Sequence, residues 1–327
     1  MDLSWHLLFN PGVSFVRSPL HCPQNPNIMA GQPNTLIVLG SSPDSYYIGH
    51  GRRHFVENMP DSFTEHAKKD LTISMTRWIS VNKNMDWVSY NDATENMHFN
   101  TGINQTVLDH LSGVNGKFGA EYVSFPGNED PAHYFVKGRG QSQWSGYLDD
   151  YFIAKLLKAQ KEVPNFDADL TGILFGKGKT FIIMSKTGFT AHLDDDEIPS
   201  SSEEHPLRKV LEQYSEGWCI DRASTLCFYD SKYFFIKFRG PGESQIMMHW
   251  NLPPHMNEKL RELQELMQQP EEKLTLTQED QMWLNVFQSR LNNGLQMSMM
   301  FANQMHRGGL GLLAVATGGT VVETPRY

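Results

Sequence analysis

The sequence predicts an all-β-dominated chain: a β-propeller of five blades, or six if the termini build one together, with short helical segments between blades and a C-terminal helix. Five stretches repeat one order of elements: apolar strand, turn, second apolar strand, third strand, helix-like tail. Their second strands read Ser45–Gly49 (SYYIG), Asp86–Tyr90 (DWVSY), His133–Lys137 (HYFVK), Thr180–Met184 (TFIIM) and Lys232–Lys237 (KYFFIK). With Tyr47, Val88, Phe135, Ile182 and Phe235 as anchors, the steps are 41, 47, 47 and 53 residues, a period of the size that marks repeat architectures. The 19 Phe, 11 Tyr and 7 Trp supply bulky residues that suit half-buried pleated surfaces.

In chain order, residues 1–35 read as an N-terminal hairpin and loop, with Trp5–Phe9 and Val13–Arg17 joined by Asn10-Pro11-Gly12. Residues 36–270 hold the five units. The first has strands at Leu36–Leu39, Tyr46–Gly49 and His54–Glu57, then a helix at Asp61–Lys69. The second has Trp78–Val81, Trp87–Tyr90, Met97–Asn100 and a helix at Gln105–Leu111. The third has Tyr122–Phe125, Tyr134–Lys137, Gln143–Ser145 and a helix at Asp150–Gln160, where Phe152, Ile153, Leu156 and Leu157 make one apolar face. The fourth has Ile173–Phe175, Phe181–Ser185 and Thr190–Leu193, an acidic insertion, and a helix at Pro206–Tyr214. The fifth has Gly217–Ile220, Leu226–Tyr229, Tyr233–Phe238 and Ile246–Trp250, then a helix at Asn257–Gln268. Residues 271–327 form a Met-rich helix and a strand-like tail. The hairpin near the N-terminus and this tail are the candidates to close the ring, since a small twisted sheet needs a neighbour on each face.

At 327 residues, the chain holds one large β-rich domain or two ordinary ones. A net charge of −9 argues against general nucleic-acid binding, which needs a basic face. Cys22, Cys219 and Cys227 are too few and too odd in number for a disulfide framework. No apolar run reaches the roughly 18 residues that would span a bilayer. The expectation is a soluble, cytoplasmic protein.

Across residues 36–268, the spacing resembles that of β-propeller repeat proteins, including the tachylectin-like and fungal fucose-lectin propellers. The resemblance is one of architecture. It lacks the Gly-His and Trp-Asp pairs of WD40 repeats and the double glycine of kelch repeats, and it carries no binding residue onto this chain.

Gly172–Thr180 (GILFGKGKT) contains Gly-Lys-Thr, but its first glycine is one residue too far away for a phosphate loop, and it reads as a hairpin turn between strands. The basic turns at Gly49–His54 (GHGRRH) and Lys137–Gly140 (KGRG), with Arg239-Gly240 as a third, occupy equivalent places and would project from one rim, where they suit an anion. Phe55, Phe99, Trp144 and Trp250 fall near equivalent third-strand positions, with Phe189 in the fourth unit. Aromatic faces stack on apolar sugar surfaces, and repeated weak sites act together. The alternative readings are solvated turns and core-filling rings. Asp149-Asp150 reads as a helix cap, and Asp194–Glu197 as an acidic surface loop.

The reading that follows is a non-enzymatic propeller binding a carbohydrate or protein through blade-rim sites that include Arg52, Arg53, Arg139, Trp144 and Trp250. No cofactor and no metal is implied. Two alternatives stand beside it. One is an enzyme acting on a small apolar molecule in the central channel, with His50, His54, His133 and Asp86 near strand ends. The other is a homo-oligomeric scaffold working through the C-terminal helix, whose Met297, Met299, Met300 and Met305 suit an adaptable contact.

Overall fold

The structure, a computed structural model, describes residues 35–51, 53–68, 76–91, 96–127, 130–145, 149–194, 205–214, 217–240 and 246–268. The N-terminal hairpin, the acidic insertion at 195–204 and the Met-rich segment with its tail lie outside them.

The described chain is mostly β, in five small antiparallel sheets. The first contains β1 (Thr35–Leu39), β2 (Tyr46–His50) and β3 (Arg53–Glu57), followed by helix α1 (Asp61–Lys68). The second contains β4 (Thr76–Val81), β5 (Trp87–Asn91) and β6 (Asn96–Phe99), then α2 (Gln105–Ser112). The third contains β7 (Ala120–Ser124), β8 (Phe135–Gly138) and β9 (Gln141–Trp144), then α3 (Asp150–Glu162) and the short α4 (Phe166–Asp169). The fourth contains β10 (Leu170–Phe175), β11 (Phe181–Ser185) and β12 (Gly188–His192), then α5 (Pro206–Gln213). The fifth contains β13 (Cys219–Ile220), β14 (Thr225–Leu226), β15 (Phe234–Arg239) and β16 (Ile246–Asn251), then α6 (Pro254–Gln268).

The repeat pattern therefore holds, with four local differences. Third strands in the third and fourth units start two residues early, at Gln141 and Gly188, because tight turns follow the middle strands directly. The expected Leu226–Tyr229 strand shrinks to Thr225–Leu226. The last helix begins at Pro254 rather than Asn257, since proline is tolerated in a first turn. Helix α4 had no visible apolar period. Asp149 caps α3 as expected, accepting from the Tyr151 and Phe152 amides.

The anchors prove equivalent in register. Tyr47, Val88, Phe135, Ile182 and Phe235 pair with Val38, Ser80, Ser124, Leu174 and Thr225 on their first strands. Each anchor also shares a core cluster with the helix that follows its sheet. Tyr47 meets Phe63 of α1 edge-on at 5.7 Å. Val88 is clustered with Val107 of α2, and Ile182 with Leu207 and Leu211 of α5. Phe135 is clustered with Phe152 and Leu156 of α3. Phe235 is clustered with Met256, Leu260 and Leu263 of α6, together with Ile37, Ile48 and Leu39 of the first sheet. An amphipathic helix thus fills the gap between one sheet and the next, burying the apolar face that three short strands cannot cover alone.

Strands from the first-strand position of each sheet touch in order. β1 lies against β4, β4 against β7, β7 against β10, β10 against β14, and β14 against β1. Helix α6 packs on β2 and β3. The first and last units thus meet within residues 35–268.

Leu263 is 1% exposed at that meeting point. Leu263→Ala should cost about 2–5 kcal/mol, the usual price of a buried leucine truncation. Urea denaturation followed by near-UV circular dichroism checks it.

Candidate functional site

The five register-equivalent residues Val38, Ser80, Ser124, Leu174 and Thr225 line one central cavity, with Phe228 among its other walls. Its volume of about 30 Å³ has room for one or two waters. Pockets that hold organic ligands usually enclose about 300 Å³ or more. The cavity is polar on one side. The Ser80 hydroxyl donates to the Val123 carbonyl at 2.6 Å, while the buried Ser124 hydroxyl has no hydrogen-bond partner among the described residues.

Next to this cavity, where the inner strands begin, the ladders break in one repeated way. The pairing shifts between Thr76 and Trp78, between Ala120 and Tyr122, and between Leu170 and Gly172. The residues left over are Arg77, Glu121 and Thr171. In the fifth sheet, the Asp221–Ser224 turn splits the same strand into β13 and β14 and carries Arg222. A bulge adds one residue and redirects its side chain. Here four units spend that residue at the same level.

These residues converge. Arg222 donates through Nε to the Thr171 carbonyl at 2.8 Å and through Nη1 to the Glu121 carbonyl at 3.2 Å, and its Nη2 lies 3.8 Å from the Glu121 carboxylate. Its guanidinium lies 5.6 Å from the centre of the Tyr122 ring. The Tyr122 ring needs Gly172 beside it, since a Cβ there would sit 2.6 Å from the ring. Asp221 is ion-paired with Arg239 and accepts from the Ala223 amide at 2.8 Å. Lys237 is 6% exposed, with its backbone amide bonded to the Ser224 hydroxyl.

Burial alone would raise the Asp221 carboxyl. Arg239, Lys237, the Ala223 amide and Arg77 reverse this and hold it below the usual carboxylate range. Burial, then Arg77, lowers Arg222 to about 10, leaving it a cation at neutral pH. Lys237 is lowered by burial, against the attraction of Asp221. Lys137, 2% exposed in the equivalent slot of β8, is also lowered by burial. Its Nζ donates to the Gly138 and Gln141 carbonyls.

Some of the residues singled out from the sequence belong to this end of the molecule. His50, Gly138, Ser185 and Arg239 pair with Thr35, Ala120, Leu170 and Cys219 at the starts of the first strands. The turns after β2, β8 and β11 therefore lie at one end. Arg139 is exposed there and Arg53 half-buried, whereas Arg239 turns inward to Asp221. Arg52 lies outside the described residues.

The aromatic set contracts. Phe99, Trp144 and Trp250 occupy one register, opposite Val88, Phe135 and Phe235. Val56 and Ala191 stand there in the first and fourth sheets, so Phe55 and Phe189 are displaced by one and two residues. Phe99 and Trp250 are 41% and 38% exposed, and Trp144 packs partly on the third-sheet core.

The candidates for chemistry at strand ends are not brought together. Asp86 accepts from Asn82 and Asn100 at the far end of the second sheet. His133 sits at that same end, 3.6 Å from Asp130. His50 is bonded to Thr35 at 2.8 Å and His54 stacks on Tyr47, both at the bulged end. The segment resembling a phosphate loop is the β10–β11 turn, closed by the Gly176 amide on the Thr180 carbonyl. Cys219 and Cys227 are buried and not joined in a disulfide. Among the described residues, no helix is long and apolar enough to cross a membrane.

Comparison with family models, with curated proteins and with solved structures finds no match.

Asp221→Asn would leave Arg77, Lys237 and Arg239 facing a neutral amide. It should destabilise the protein at pH 7 by about 3–5 kcal/mol, as when one partner of a buried pair is removed. The folded-state pKa of Asp221 lies below its unfolded value, so its stabilisation is present above about pH 4 and is lost as pH falls below that. Urea titrations from pH 7 to pH 2 should show a flatter acid limb in the variant.

Proposed function

We propose that the chain is a non-catalytic binding protein. In this reading the five sheets are blades of a β-propeller with a helix in each gap, and a glycan stacks at the blade periphery. The cyclic order of inner-strand contacts and the five-residue lining of the central cavity support the ring. One observation carries the ligand reading: Phe99, Trp144 and Trp250 stand at one register on the outer strands of three sheets, all partly open to solvent.

One aromatic per sheet, each beside a helix-filled gap, suits a ligand made of repeating small units better than one broad protein face. Ring faces take sugar C–H surfaces, and the indole N–H supplies a donor. Three modest sites gain from each other on a multivalent surface. This reading places the ligand outside the small central cavity. The architecture it implies is that of the lectin-like propellers the repeat spacing resembles.

A glycan-array screen of the full-length protein tests this. Binding should appear, and Trp250→Ala should lower apparent affinity by about tenfold or more through lost avidity, with little change in melting temperature because Trp250 is partly exposed. An empty array with folded protein, or an unchanged Trp250→Ala profile, would refute it.

A further inference from the structure

We infer that the outer edge of the third sheet is the selective one of the three aromatic sites, where Asp167 accepts hydroxyl donors from a neutral sugar unit seated on Trp144. This inference rests on the glycan reading and names the residue that gives it specificity.

The outer strands set the three sites apart. Side chains two residues apart share one strand face, about 7 Å along it. Beside Phe99 that neighbour is Met97, and beside Trp250 it is Met248, which is 39% exposed. A thioether offers apolar surface and only a weak acceptor. Beside Trp144 the neighbour is Ser142, whose hydroxyl donates to the Asp167 carboxylate at 2.8 Å. The third sheet thus pairs its aromatic with a charged acceptor, where the second and fifth sheets pair theirs with methionine.

The chain after the third sheet holds that acceptor in place. Pro164 follows the end of α3, and Asn165 takes the left-handed conformation, with φ 62°, that turns the chain into α4. The turn carries Asp167 back to α3, where the Gln160 side-chain amide donates to both carboxylate oxygens, at 3.2 and 3.1 Å. Asp167 is therefore fixed from a strand and a helix at once, while half-buried. A carboxylate has about four acceptor sites, and the contacts with Ser142 and Gln160 use three. Lys137, opposite Ser142, attracts Asp167 from inside: it is 2% exposed and gives its Nζ to the Gly138 and Gln141 carbonyls.

An apolar side adjoins these groups. Ile153, Leu157 and Gln160 stand at i, i+4 and i+7, on one face of α3. Ile153 packs on the core around Phe135, as Trp144 does, so this face is turned to the third sheet. Leu157 on it is 42% exposed. A sugar matches both halves of such a surface, with C–H patches for the indole ring and the leucine, and hydroxyl donors for the carboxylate.

The test is an array of neutral hexose and deoxyhexose oligosaccharides, each printed with free hydroxyls and in O-methylated form, probed with the full-length protein. Free-hydroxyl glycans should bind more tightly than their O-methylated forms. Asp167→Asn should weaken the free-hydroxyl glycans by about tenfold or more, the usual consequence of losing a charge-assisted hydrogen bond. It should leave the O-methylated ones near the parent value, a difference that a merely structural role of Asp167 would not produce. Leu157→Glu, at an exposed helical position, should lower glycan affinity by about tenfold with the melting temperature kept, through lost apolar contact and the charge placed against it. An array empty for the parent protein would remove the glycan reading and this inference together. Binding that Trp250→Ala weakens, but that Asp167→Asn and Leu157→Glu leave at the parent value, would overturn this inference alone. So would an equal loss on free-hydroxyl and O-methylated glycans in Asp167→Asn.

Discussion

A three-stranded antiparallel sheet with strands of four to six residues cannot bury both of its faces, and everything else in this molecule answers that constraint. Each sheet presents one large anchor residue to the helix that follows it, and the helix seals the gap to the next sheet. The arrangement needs each helix to lie between two sheets. That is why α6 returns to β2 and β3, and why Phe235 shares its core with Ile37 and Ile48. The hydrophobic contribution is distributed over repeated small wedges, so the stability of each interface depends on its neighbours being present.

The inner strands then carry a second burden. Their mid-strand residues converge on a cavity that holds little more than water, and the small hydroxyls Ser80, Ser124 and Thr225 share it with Val38 and Leu174. Small side chains there leave the strands free to approach. At the start of the same strands, bulges replace regular pairing, and charged groups take the place of apolar filler. Tyr122 stands between the two regimes: its ring lies under Arg222, edge-on to Trp78 at 4.9 Å, and over the space Gly172 leaves open. The Asp221–Arg239 pair holds the fifth sheet to this pattern by spanning the split first strand and the middle strand.

Much of the fold was legible in the residues. The anchors stand out because an apolar run of middle-strand residues recurs after each turn, and their equivalence survives in the register of all five sheets. Short elements were less legible. β14 keeps only two residues because the Asp221–Ser224 turn interrupts its strand, and α4 is a single turn with no amphipathic period. The candidate site was legible only in part. Lys137 and Lys237 share a slot in HYFVKGRG and YFFIKFRG, and a lysine closing an apolar run was a signal of burial that the rim-turn reading passed over. Arg77, Glu121, Thr171 and Arg222 have no common residue type, so nothing in their identities marked them as one level of one structure.

The sequence by itself determined the repeat, the alternation of three strands and a helix, and most element borders. Periodicity, turn chemistry and caps act over a few residues and are written locally. The tertiary structure alone decided which side chains share a place. It set the order of sheet contacts, the inward turn of Arg239 to Asp221, and the meeting of Arg222 with Glu121 and Thr171 from sheets up to about a hundred residues apart. The physical reason lies in register. One extra residue in a strand moves a side chain from one face to the other, and whether a strand carries that extra residue is settled by pairing with its neighbour, which no local pattern records.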